Sequence, residues 1–170
     1  FNENLNELQL SWQFQSIIRN IGNYDPCYEP LISIGKNCGI KFHKPNKFKY
    51  LEKGDLIIVD LGTRSFGYAG SICRTLPVSG KFSVAQLEVY EIFEEKYQKL
   101  KSTSKSGIAF GQIREIANIL TAEALCELGI FKGKASDMDE KEFYKLFGLS
   151  NFVSLIGLDK FDPVALPNNS

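Results

Sequence analysis

The stretch "GDLIIVDLGTRSFGYAGSICRT" at residues 54–75 constrains the fold more than any other part of the chain. Its apolar run, followed by glycines and then a second mixed run, predicts two neighbouring antiparallel strands joined by a short turn. Asp60 lies on the first predicted strand and Ser71 on the second. Short apolar runs upstream, "PLISIG" and "CGIKF", predict further strands, so the first half of the chain is expected to form an antiparallel sheet.

Helical spacing of apolar residues marks most of the remaining sequence. It predicts an amphipathic helix over residues 2–22, a long helix from 83 to about 100, a helix over 110–129 and a short helix over 137–147. Residues 150–166 alternate in the manner of a strand. Strands followed by helices and then a strand predict an α+β fold, with helices covering one face of the sheet.

Composition bounds the classes of function. The 170 residues predict one domain, residues 1–170, as part of a longer chain. Lys plus Arg and Asp plus Glu both number 20, so no global field favours nucleic acid or an anionic membrane. The longest apolar run is too short to span a membrane. Four widely spaced cysteines predict free thiols: Cys27, Cys38, Cys73 and Cys126.

The predicted hairpin carries too few metal ligands for a two-metal hydrolase. Such a site needs several carboxylates and at least one imidazole, because two dications must be neutralised and held. Ser71 is a neutral, poor ligand, and the single histidine, His43, lies in the lysine-rich segment 41–53, which is interpreted as a solvated loop. The residues therefore predict no metal, no cofactor and no nucleophilic triad within this chain.

Residues 54–93 resemble the metal-binding hairpin and following helix of the pita-bread family, which includes creatinase, aminopeptidase P and prolidase. The resemblance implies a pita-bread fold, incomplete in this fragment. It places Asp60 at the family's first metal aspartate and Ser71 at the second. Phe147 and Asn151 fall on two of the family's histidines, with Asn151 at a metal ligand.

The resemblance implies further losses around the same site. The third histidine of that segment corresponds to Phe161, and His43 is one residue out of step with a substrate-side histidine. The family's two glutamate ligands would follow Ser170. This concerted loss leads to the prediction that the chain is a pseudopeptidase and not an enzyme.

Three segments are similar to the N-terminal domain of the large subunit of FACT-type histone chaperones, namely 27–42, 61–75 and 153–166. That similarity implies a nuclear, non-catalytic domain that acts in transcription, replication and repair. It would bind histones or nucleosomes, and the second FACT subunit through the full-length chain, with no membrane and no sequence-specific DNA contact.

A candidate surface for such a partner is an acidic stretch of the second predicted helix. Histones are basic, so clustered carboxylates would complement them, although an ordinary solvated helix face has the same composition. This acidic face comprises Glu88, Glu91, Glu94 and Glu95.

Two alternatives remain open. Asp60 is retained, and "VSGKFSVAQLEVYEIF" at 78–93 resembles active aminopeptidases more closely. The chain could therefore belong to a divergent Xaa-Pro aminopeptidase or dipeptidase that uses manganese, cobalt or zinc and depends on Asp60. A structural or dimerisation domain of a larger enzyme is the third interpretation.

Overall fold

A computed structural model of the chain describes residues 4–22, 25–147, 153–154 and 156–160. The chain divides into two compact units, one of residues 1–83 and 155–163 and the other of residues 84–154 and 164–170. The single domain expected from the length stays a prediction. In chain order, the elements are α1 (Glu7–Gly22), β1 (Asp25–Pro26), β2 (Leu31–Ile34), a 3-10 helix (Gly35–Gly39), β3 (Leu56–Ser65), β4 (Tyr68–Pro77), α2 (Val84–Thr103), α3 (Phe110–Glu127), a second 3-10 helix (Ala135–Asp137) and α4 (Glu140–Phe147).

The first unit is built around an antiparallel sheet with β3 at its centre. β4 pairs with β3 along its whole length, whereas β2 and β1 pair with successive parts of the other edge of β3. The long hairpin predicted from the sequence is therefore present. Asp60 pairs with Cys73 across the hairpin, and Gly62 pairs with Ser71.

Alternation along β3 separates a core face from a polar face. Ile57 and Val59 are almost completely buried and pack with Leu10 of α1. Residues with even numbers, Asp60 among them, point to the opposite face because successive side chains of a strand alternate. One face of the hairpin thus packs into a core with α1 and β2, while the other face carries polar side chains such as Asp60.

The start of α1 is fixed by a reciprocal cap. Asn6 Oδ1 accepts a hydrogen bond from Gln9 N at 2.9 Å, and Gln9 Oε1 accepts one from Asn6 N at 3.1 Å. This exchange satisfies amides that the first helical turn leaves without partners. The helix consequently begins at Glu7, five residues later than the predicted span.

The second unit consists of helices. α2 packs along α3, and Lys96 of α2 forms an ion pair with Glu127 of α3 at 3.1 Å. A small core forms where α3 meets the second 3-10 helix and α4, and it buries Ala122, Leu125, Met138 and Phe143. These helices agree with the predicted spans to within a few residues. Within the described ranges, no helix is both long and apolar enough to cross a membrane.

Two predicted strands are wrong where the structure describes them. "CGIKF" at 38–42 lies partly in the first 3-10 helix and partly in a turn. Gly35, where the 3-10 helix starts, and Phe42, at the end of this stretch, have φ angles of 56° and 53°, which lie outside the strand region. At the other end of the chain, residues 153–154 and 156–160 contain no strand, and the rest of the predicted strand lies outside the described residues.

Candidate functional site

The polar face of the hairpin carries a connected cluster of four side chains, Tyr28, Asp60, Ser71 and Lys160. Tyr28 donates its hydroxyl proton to Asp60 Oδ1 at 2.6 Å, and its oxygen lies 2.7 Å from Ser71 Oγ. Because that single proton is already donated to Asp60, the Ser71 hydroxyl is the donor to Tyr28. Lys160 Nζ forms an ion pair with Asp60 Oδ2. Both carboxylate oxygens of Asp60 are therefore engaged.

Gly62 allows the Tyr28 ring to lie against the hairpin. A Cβ atom at Gly62 would stand 2.8 Å from Tyr28 Cε1 and 2.7 Å from Cys27 Sγ, both inside contact distance. The amide of Cys27 also donates to Gly62 O at 3.2 Å, which fixes the backbone just before Tyr28. Any larger residue at position 62 would displace the tyrosine that joins Asp60 to Ser71.

Lys160 reaches the cluster from a segment attached to the far end of the hairpin. Ala69 N donates to Gly157 O at 2.7 Å, and Arg64 Nη1 donates to Leu158 O at 2.6 Å. The ammonium of Lys160 also lies 4.2 Å from the centroid of the Tyr28 ring, within the range of a cation–π contact. The lysine is thus positioned by backbone contacts on one side and by an aromatic ring on the other.

Two acidic groups at the cluster, the Tyr28 hydroxyl and the Cys73 thiol, have raised pKa values and so keep their protons. Burial, followed by the hydrogen bond to Asp60, raises the pKa of Tyr28 well above its usual value, so its hydroxyl remains a donor. Desolvation and then the Asp60 charge raise the pKa of the Cys73 thiol opposite Asp60. Since the thiolate is the nucleophilic form, Cys73 is not activated as a nucleophile.

The residues predicted from the sequence have different outcomes. Asp60 and Ser71 lie on the two neighbouring strands of the hairpin, as predicted, and the register places them on one face, with Tyr28 between their oxygens. Asn151 and Phe161 lie outside the described residues, and Phe147 is the last residue of α4. His43 contacts Glu7, with Nε2 2.7 Å from Oε2. The free state predicted for the four cysteines is confirmed.

The acidic face lies on α2 in the second unit. Glu94 accepts a hydrogen bond from Gln98, and Glu95 forms an ion pair with Lys96, so the charge of Glu95 is compensated within the helix. Its role in binding a partner stays a prediction.

Sequence reasoning missed Tyr28 and Lys160. Tyr28 is 32 residues from Asp60 and Lys160 is 100 residues away, so no spacing rule connects them. The one available signal was Gly62, since a glycine inside a strand often marks a close approach.

The described part of the cluster does not fit a metal ion by itself. No group of three or more His, Cys, Asp or Glu side chains able to hold an ion occurs among the described residues. Asp60 is a potential ligand, but its oxygens are taken by a hydroxyl and an ammonium. Ser71 adds only a neutral hydroxyl, and a metal site requires more anionic or imidazole ligands than these.

The sequence matches the family model of "Metallopeptidase family M24" over residues 1–158. The Xaa-Pro aminopeptidase of Haemophilus influenzae is 31% identical over 137 residues, covering 81% of this chain and 32% of that protein. The Escherichia coli enzyme of the same name is 31% identical over 138 residues, with 81% and 31% covered. The structure superposes on zinc-substituted Escherichia coli aminopeptidase P in complex with product with a TM-score of 0.79, at 28% identity and over 92% of this chain and 36% of that one.

These similarities correct the prediction of a pseudopeptidase. That prediction is wrong because the relatives are named as aminopeptidases. It rested on ligands counted in a chain that spans only about a third of the length of the relatives it matches.

The pita-bread fold itself is confirmed, as a fragment with an antiparallel sheet and helices. The comparisons give no support to a FACT-type chaperone. The histone partners, the second FACT subunit and the nuclear location are untested and stay predictions.

Proposed function

Because the chain belongs to metallopeptidase family M24, we propose that the protein containing it is an Xaa-Pro aminopeptidase. Such an enzyme releases an N-terminal residue that precedes proline. The observation that carries the proposal is the agreement of this chain with aminopeptidase P over 92% of its length, together with a family match over residues 1–158, which include the hairpin. Activity, substrate and metal are proposed for the whole protein, of which this chain supplies the part around Asp60.

Asp60 has the chemistry that an aminopeptidase needs at the amino end of its substrate. A free peptide amino terminus is a primary ammonium near neutral pH. Asp60 already binds a primary ammonium, that of Lys160, and its second oxygen is oriented by the Tyr28 hydroxyl. Its side chain is 18% exposed, so a ligand can reach it while water screens it only partly. In this proposal Asp60 binds and orients a cationic group at the site.

The test uses the intact protein and a tripeptide with proline in the second position. Manganese, zinc and cobalt are supplied in turn, and the released amino acid is quantified by mass spectrometry. We expect release from the proline peptide and much less from a matched peptide with alanine in the second position. Replacing Asp60 by Asn should lower kcat/KM by about 100-fold or more, because a charge close to the reacting centre is lost.

The matched control is Asp25→Asn, which removes a carboxylate whose side chain is 86% exposed on β1. This variant should keep the wild-type rate. The proposal fails if folded wild-type protein releases nothing from the proline peptide with any of the three metals. It also fails if D60N and D25N are equally active.

A further inference from the structure

The charges and hydrogen bonds of the Asp60 cluster balance without a metal ion. The cluster contains one carboxylate, that of Asp60, and one ammonium, that of Lys160. Tyr28 and Ser71 add only neutral hydroxyls. Tyr28 donates to Asp60 Oδ1 and the ammonium holds Asp60 Oδ2, so both carboxylate oxygens have a partner. A single negative charge is thus matched by a single positive charge.

The ion pair is also more enclosed than an ordinary surface pair. The side chains of Lys160 and Asp60 are 16% and 18% exposed. For comparison, the ion pair between Arg19 and Asp25 in the same unit has side chains that are 57% and 86% exposed. A partly buried charge that loses its partner is costly, because little water is left to replace that partner. Asp60 therefore depends on a cation, and the chain itself supplies one.

Lys160 is held in this position by its own segment. Gly157 O accepts a hydrogen bond from Ala69 N at 2.7 Å, and Leu158 O accepts one from Arg64 Nη1 at 2.6 Å. The ammonium also lies 4.2 Å from the centroid of the Tyr28 ring. Since the backbone of the segment is already attached to the hairpin, less conformational entropy is lost when the lysine pairs with Asp60.

We propose that Lys160 is the counter-ion that holds Asp60 in place, and that the Asp60 cluster is assembled around this ammonium and not around a metal ion. The chain belongs to a metallopeptidase family, but the donor set of the cluster disagrees with a metal centre. Asp60 is its single carboxylate, and the described residues include no group of three or more His, Cys, Asp or Glu side chains able to hold an ion. The inference concerns this cluster alone, and it rests on neither the proposed activity nor its substrate.

Ser71 fits the same arrangement. Tyr28 has one hydroxyl proton, which it donates to Asp60, so its oxygen needs a donor at position 71. A carboxylate at that position would have no proton to donate and would place a second negative charge beside the ion pair. Replacing Ser71 by Asp should therefore destabilise the protein more than replacing it by Ala, which removes one neutral hydrogen bond.

The experiment is thermal denaturation of the intact protein in the presence of a metal chelator. Lys160→Met keeps the length of the side chain without its charge, and we expect it to lower the midpoint of unfolding by about 4 °C. The double variant D60N/K160M should regain at least about half of that loss, because no charge is left unpaired. Lys160→Arg keeps the charge and should stay closer to wild type than K160M. The matched control, Lys53→Met, removes an exposed lysine of the same unit and should leave the midpoint unchanged.

A second series replaces the chelator by Mn²⁺. We expect Mn²⁺ to shift the midpoints of wild type and D60N equally, because Asp60 takes no part in holding a metal ion. A rise with Mn²⁺ that D60N abolishes would overturn the proposal.

Three other results would also overturn it. They are a midpoint of K160M equal to that of K53M, a loss in D60N/K160M equal to the sum of the two single losses, and an S71D variant as stable as S71A. If K160M alone does not fold, D60N/K160M is expected to fold, and failure of both counts against the proposal. No substrate enters these measurements, so failure of the proposed function and failure of this inference can be distinguished.

Discussion

Glu7 is a fully buried carboxylate that organises the loop after β2. Its Oε1 accepts from Ile34 N and Asn37 Nδ2, both at 2.9 Å. Its Oε2 accepts from Asn46 N at 3.2 Å and Asn46 Nδ2 at 2.9 Å, and it lies 2.7 Å from His43 Nε2. A buried charge is tolerated only when it is paired in this way. The lysine-rich segment 41–53 therefore exposes most of its lysines to solvent, while its His43 and Asn46 bind the buried carboxylate of Glu7.

Replacing Glu7 by Gln tests this anchoring. The amide offers one acceptor oxygen, and its NH2 group would face donors, so several hydrogen bonds to a charge are lost at once. We expect the free energy of unfolding to fall by about 3 kcal/mol, measured by chemical denaturation of the intact protein. The control Glu29→Gln, at an exposed position, should change it by less than about 0.5 kcal/mol. Equal stability of the two variants would contradict the role given to Glu7.

At the scale of single residues, the sequence predicted one half of the candidate site. Asp60 and Ser71 could be placed on neighbouring strands because the patterns that predict strands and tight turns are local. Tyr28 and Lys160 could not, since their positions depend on how separate segments pack. The same limit applies to Glu7. In the sequence it is an acidic residue in the first turn of a helix, and its hydrogen bonds to the loop after β2 depend on tertiary packing.

Among the elements, the turn between β3 and β4 places Phe66 in a backbone conformation that a phenylalanine rarely adopts. The two central residues, Phe66 and Gly67, have φ angles of 50° and 88°. Positive φ at both positions is the geometry that matches the twist of a two-residue hairpin, and it favours Asn-Gly. Phenylalanine is strained there, and its side chain is 99% exposed.

Replacing Phe66 by Asn should therefore stabilise the protein. Asn accepts the left-handed conformation more readily, so we expect the free energy of unfolding to rise by about 1 kcal/mol. A useful control is Phe48→Asn, which changes an equally hydrophobic residue that is 80% exposed and is not among the residues with positive φ. Thermal denaturation of both variants gives the comparison. An equal shift in the two would mean that hydrophobic exposure, and not backbone strain, is responsible.

Elements with strong periodicity were predictable, and short irregular ones were not. The long helices and the hairpin follow from repeated patterns over ten or more residues. The segment "CGIKF" has apolar residues but pairs with no strand in the part of the chain that the structure describes, because its first two residues belong to the 3-10 helix that starts at Gly35. Ile40 and Phe42 then remain more than half exposed, which a local pattern of apolar residues does not reveal.

At the scale of the whole molecule, six side chains of the described residues have a pKa that is raised in the folded state. Burial raises the pKa of the thiols of Cys27 and Cys38, and hydrogen bonds to carboxylates raise the pKa of Lys49 and Lys96. Tyr28 and Cys73 are raised as well. A group whose pKa is higher in the folded state holds its proton more tightly there than in the unfolded chain. Its stabilising contribution is complete below the unfolded pKa and is lost as the pH rises through the folded pKa.

The protein should consequently lose stability on the alkaline side. Thiols ionise in unfolded chains near pH 8.5, and tyrosine and lysine ionise near pH 10, so the free energy of unfolding should begin to fall above about pH 8.5 and fall more steeply above about pH 10. Denaturation at a series of pH values measures this fall. Lys96→Met removes the lysine whose pKa is raised by hydrogen bonds to Glu127 and Glu95, so the loss of stability above about pH 10 should become smaller. The control Lys101→Met, at an exposed lysine of the same helix, should leave that loss unchanged. A stability that rises between pH 9 and pH 11 would contradict the sign of these shifts, because it would require groups that bind protons more tightly in the unfolded chain.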